Sequence, residues 1–182
     1  MYDAARLHAA LNDLPAALLV VAVLFDLAAW LRRRESLAWA GLWTLWAGVV
    51  GGWAAVVAGN LAEESIEHGE AIHELMERHE LLGYVTMGIF TVVLGWKLWR
   101  RVGRRAAEEW VLRALSIVGL GTLLLAANVG GQLVFDHAAG VSSEKLRDEL
   151  IDRGVLLPQA DSAAPPPSGA HQHAPGTPPH EH

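Results

Sequence analysis

No cysteine occurs among the 182 residues. That absence removes disulfides, thiolate metal sites, cysteine-ligated iron–sulfur clusters and covalent haem attachment. Any metal or haem iron must be held by histidine, carboxylate, methionine or backbone oxygen. Also missing are HExxH, a nucleophile elbow and a phosphate loop. The nearest approach is HELME, in which Glu77 stands where a zinc protease needs the second histidine after His73. No independent catalytic activity is expected unless a bound cofactor supplies it. The N-terminus lacks a basic region and an A-x-A cleavage site, so the first apolar stretch is expected to remain as an anchor. With 20 acidic against 14 basic residues, no nucleic-acid partner is expected either.

What the chain has in quantity is apolar length. Hydrophobic residues make up 52%, and the mean hydropathy of +0.25 is diluted by a polar tail. Four stretches, roughly Leu14 to Leu31, Leu37 to Leu61, Leu81 to Trp99 and Val111 to Phe135, each have about the length a helix needs to cross hydrocarbon. A spanning segment must satisfy its backbone internally, and no strand-like alternation appears, so the fold class is all-α: an integral membrane four-helix bundle. Ser142 to about residue 157 reads as a short amphipathic helix capped by Ser142 or Ser143 and stopped by Gly154. Residues 158–182, rich in proline and histidine, read as a disordered tail. Its His171, His173, His180 and His182 offer imidazoles for Cu or Zn without preformed geometry.

Charge sets the expected topology. Arg32, Arg33 and Arg34 follow span one; Lys97, Arg100, Arg101, Arg104, Arg105 and Arg113 surround the third connection. Both connections lie on one side of a four-span chain, which the positive-inside rule makes cytoplasmic. The expected location is a bacterial inner membrane, crossed four times with both termini periplasmic. Trp30, Trp39, Trp96, Trp99 and Trp110 fall at the cytoplasmic ends, where an aromatic belt belongs. On span two, Trp39, Trp43, Trp46 and Trp53 share one helical face, while Gly48, Gly52, Ala55 and Gly59 share the other. The small face is expected to pack on helices and the tryptophan face to meet lipid.

Candidate site residues cluster at the opposite, outer end. The acidic connection up to Glu80 should become an amphipathic helix from about Gly69, leading into span three. His79 lies where that helix enters the membrane, His137 lies at the matching depth after span four, and His8 precedes span one. Three helix ends thus place one histidine each at a common level. Two imidazoles from different helices are how a bundle grips a b-type haem, and three could hold Cu or Zn. Asn128, Gln132 and Asp136 form a polar stripe on span four, expected to face the interior as helix-to-helix glue, as a second layer around a cofactor, or as a quinone headgroup pocket. Asp26 is the one acid well inside a span, close in depth to Lys97 and Arg113, and an internal ion pair is expected there.

The segments HAALNDLPAALL (His8, Pro15), LFDLAA (Asp26), ERHELLG (His79) and GGQLVFDHAAGV (Gly130 to Val141) resemble those of a large uncharacterised family of bacterial predicted membrane proteins. That family's patterns are HPxxVHFPxAL at helix entry and GGxLVYxHGxGV at the end. The resemblance covers residues 8 to 141, and the last motif is its most specific part. Asp13 stands where many members have a second histidine, and Ala139 where glycine is usual, which counts against a four-histidine site. Some relatives resemble fusions to a Rieske iron–sulfur domain, which implies redox traffic near the outer face. Three readings follow. One is a haem-binding electron-transfer module working between quinol and a periplasmic redox partner. The others are a structural or partner-binding subunit without cofactor, and a Cu or Zn handling protein.

Overall fold

A computed structural model describes residues 4–63, 70–99 and 106–155. The expected disordered tail with its four histidines lies outside the described residues, as do Arg100 to Arg105 and His68. Four long helices fill the first unit of the chain: α1 (Ala4–Arg32), α2 (Glu35–Glu63), α3 (Glu70–Trp99) and α4 (Ala106–Phe135). Each contains a stretch of 26 to 29 residues apolar enough to cross a membrane. At 1.5 Å per residue that is roughly 40 Å, more than the hydrocarbon thickness of about 30 Å, so the helix ends reach into the headgroup layers.

α1 packs along α2 and α3 along α4; α2 against α3 and α1 against α4 complete the ring. α1 and α3 therefore stand diagonally opposite. The core is Leu19, Ala22, Val23, Leu45, Val49, Met87, Phe90, Val93, Leu94 and Leu112. Large apolar side chains outside it, Trp43, Val57, Leu124 and Phe135 among them, are exposed, as expected of a bundle whose solvent is lipid. Gly48, Gly52 and Ala55 of α2 are buried while Trp39, Trp43, Trp46 and Trp53 face outward, so the expected split of that helix holds. A Cβ on Gly48 would stand 2.9 Å from Leu19 Cδ2, a distance that shows how closely the backbones of α1 and α2 approach.

Helix starts differ from the apolar boundaries. α1 begins at Ala4, ten residues before Leu14, so His8 lies inside the helix and not ahead of it. Pro15 is therefore a helix-interior proline that removes one backbone hydrogen bond, and its ring lies 2.8 Å from where a Gly51 Cβ would be. α3 starts at Glu70, in line with the amphipathic lead-in.

The two hairpins repeat one another at a constant offset of 71 residues. Shifted by that amount, α2 would run over 106–134, against the observed Ala106–Phe135. Buried Leu19 corresponds to buried Phe90, Ala55 to Ala126 and Ala62 to Leu133. Gly48, pressed on Leu19, corresponds to Gly119, pressed on Phe90. Because α1 and α3 run in the same direction, the halves are parallel repeats related by a two-fold-like rotation along the bundle.

In the second unit, α5 (Ser143–Asp152) is a separate amphipathic helix. Ser142 Oγ accepts from Lys145 N at 3.5 Å. At the other end Gly154, at φ +71°, donates to Ile151 O while Val155 donates to Leu150 O, the paired bonds of a glycine-terminated helix.

Candidate functional site: paired histidines on the repeat axis

His8 and His79 occupy equivalent places in the two repeats and meet between the diagonal helices. Their ring centres are 6.2 Å apart and their planes stand at 86°. His8 Nδ1 is 2.8 Å from Ala55 O on α2, and His79 Nδ1 is 3.0 Å from Ala126 O on α4. A carbonyl can only accept, so each Nδ1 carries a proton, and in the neutral form of each ring Nε2 is the nitrogen with the lone pair. Neither Nε2 has a protein hydrogen-bond partner among the described residues. This is the tautomer that ligating imidazoles adopt, with the far nitrogen fixed by a backbone carbonyl.

Glycine makes the approach feasible. One turn beyond each accepting carbonyl, Gly59 and Gly130 lie against the rings. A Cβ at Gly59 would come within 3.0 Å of His8 Cε1, and one at Gly130 within 2.8 Å of His79 Cε1. Gly83, one turn after His79 on the same face, is half-buried, yet no side chain or neighbouring helix comes within 4 Å of its Cβ position. Thr86 follows, buried, donating to Thr122 Oγ1 at 2.9 Å. At the rim, Asn60 donates to the Tyr84 hydroxyl at 2.6 Å.

The other end of the axis carries the other equivalent polar pair. Asp26 follows His8, and Lys97 follows His79, by 18 residues (8 to 26, 79 to 97), which is about 27 Å along a helix. Asp26 is ion-paired with Lys97, and Arg113 Nε lies 3.8 Å from its second oxygen. The expected internal ion pair is present. The two polar sites are thus separated by about the thickness of the hydrocarbon layer, with Leu19, Val23, Phe90 and Val93 packed between them.

Two expectations are corrected. His137 does not join the pair: it is exposed in the turn after α4 and makes no ring contact with His8 or His79. Asn128 and Gln132 do not face inward either. Both are exposed, and Gln132 donates to Asn128 Oδ1 at 2.9 Å; Asp136 is exposed as well. The reason is phase: Ala126 and Gly130 define the inward face of α4, and positions two residues further on are turned about 200° away. No group of three or more metal-binding side chains is found among the described residues. The sequence places Gly59 on a face expected to pack on helices, and nothing in its local pattern marks Gly59, Ala126 or Gly130 as holding an imidazole. The repeat would have exposed that role, because overlaying the chain on itself at 71 residues aligns His8 with His79, Trp39 with Trp110, Gly48 with Gly119, Ala55 with Ala126 and Gly59 with Gly130 without a gap.

Comparison with curated proteins and with solved structures returns no match. A family model does match, over residues 4–143, and takes in both repeats, the histidine pair and the ion pair. The chain belongs to the DUF2231 family, described as predicted membrane proteins.

Proposed function

We propose that this membrane protein is an electron-transfer module that binds a b-type haem between His8 and His79. The observation that carries the reading is the pair of carbonyl-anchored imidazoles on diagonal helices with both Nε2 atoms uncommitted. Two imidazoles sharing one metal at about 2.0 to 2.1 Å per bond stand with ring centres roughly 6 Å apart, and these stand at 6.2 Å. Haem needs only two protein ligands, which suits a pair that lacks a third. The open space beside Gly83 lies on the face such a group would occupy. Bound there, haem would supply one-electron chemistry; the protein would fix the imidazole tautomers and exclude water. With the arginine-rich end cytoplasmic, the site would sit at the periplasmic side of the inner membrane, within reach of quinol and of a periplasmic redox partner.

A second reading is a single Cu(I) ion held by the same two nitrogens. It is favoured by the close fit of Gly59 and Gly130 around the rings, since one ion needs no slot. Zn, which takes four ligands, is less suited to a pair. Oxidised and dithionite-reduced absorption spectra of the detergent-purified protein, with metal analysis of the same sample, separate the readings. A reduced α-band of b type that is lost in both His8→Ala and His79→Ala and retained in His137→Ala is the expected result. Stoichiometric copper without haem transfers the site to the second reading, and neither group in a folded sample overturns both.

A further inference from the structure

At the end opposite the histidines, a pocket of about 320 Å³ opens between α1, α2, α3 and α4. Asp26, Lys97 and Arg113, all mostly buried, line it together with the more exposed Trp30, Trp39, Arg33 and Arg34. Its charges do not cancel. Asp26 is used by Lys97 and Arg113, Glu109 is 3.1 Å from Arg113 Nη2, and Glu35 accepts from Trp39 Nε1 at 3.4 Å. Arg33 and Arg34 make no ion pair among the described residues. Deeper in, the Arg113 side chain is only 11% exposed and its Nε is a buried donor with no hydrogen-bond acceptor. Its guanidinium is fixed in place, 5.4 Å from the Trp30 ring centre and 5.7 Å from that of Trp110.

A buried donor without an acceptor is costly to leave unmet, and two unpaired arginines beside it supply forks that match phosphate oxygens. The tryptophans put the pocket at the level of lipid headgroups. We propose that this pocket binds a phosphate group, with Arg33 and Arg34 contacting its outer oxygens and Arg113 its innermost one. The phosphate comes either from an anionic phospholipid of the adjacent leaflet or from a soluble phosphate. Basic pockets between spanning helices take anionic headgroups in this way. Binding is local, not a property of the whole surface, because the chain as a whole carries a net charge of −6.

The test uses the full chain in detergent and follows its thermal unfolding while short-chain phosphatidylglycerol, short-chain phosphatidylcholine or inorganic phosphate is added. Phosphatidylglycerol is expected to stabilise at concentrations at least tenfold below those at which phosphatidylcholine acts. The double variant Arg33→Gln/Arg34→Gln, which touches no ion pair, should weaken that response about tenfold or more, as expected for loss of charged hydrogen bonds. Arg78→Gln, at the opposite end, should not. Stabilisation by inorganic phosphate that also competes with the lipid assigns a soluble source, and no effect of phosphate alone assigns the lipid. Equal responses to the two lipids with none to phosphate, or a double variant that responds like the parent, overturns the proposal.

Discussion

Gly130→Ala tests the histidine site through a single methyl group. In a helix, glycine to alanine gains about 1 kcal/mol from backbone propensity. At Gly130 the new Cβ would stand 2.8 Å from His79 Cε1 and 3.2 Å from Nδ1, and the ring has nowhere simple to go while Nδ1 is held by Ala126 O. Relieving the overlap either strains the packing, at about 1–3 kcal/mol, or breaks the hydrogen bond, at about 1 kcal/mol. The neighbouring Gly131 has nothing within 4 Å of its Cβ position, so Gly131→Ala reports the backbone gain alone. Subtracting the two variants cancels the propensity term, and Gly130→Ala should be less stable than Gly131→Ala by roughly 1–3 kcal/mol. Gly59→Ala, with its closest approach at 3.0 Å, should fall between them. Denaturation in mixed micelles, followed by tryptophan fluorescence, measures all three. Equal stability of Gly130→Ala and Gly131→Ala would refute the tight fit of the imidazole.

Asp26→Asn removes the carboxylate that Lys97 and Arg113 share, leaving Arg113 its ion pair with Glu109, and should destabilise by about 3 kcal/mol. Adding Lys97→Met should recover part of that loss in the same denaturation assay, and a double variant no better than the single one would argue against direct pairing. Thr86→Val removes the buried hydroxyl that donates to Thr122 while keeping the side-chain shape, and is expected to cost about 1 kcal/mol; an unchanged midpoint would mean that the bond is replaced by another.

The four spans, the two faces of α2 and the Asp26 ion pair were legible because each depends on depth or local pattern, which a linear sequence records. Helix ends were less so: α1 reaches back to Ala4 through Asn12 and Asp13, polar residues that a hydropathy boundary treats as the end of a span. Azimuth was the main loss. His79 and His137 were expected at one depth, yet His79 lies against Gly130, seven residues before His137, and which histidines turn toward one another is decided by helix packing. The inward phase of α4 passes through Ala126 and Gly130, which takes Asn128 and Gln132 to the outside. Residues with large side chains drew attention as ligands, while the contacts that hold the imidazoles come from backbone carbonyls and from glycines, which carry no chemical signal of their own.

A symmetric pair of separate hairpins would have to place the same residue at both positions facing the axis. Two neutral histidines tolerate that rule, and both can ligate one centre. An aspartate with a lysine cannot obey it, since identical chains would bring together two acids or two ammonium groups, each repelling its copy. Linking both hairpins in one chain frees the two halves to differ, and they differ where opposite charges meet, at Asp26 and Lys97, and agree at His8 and His79.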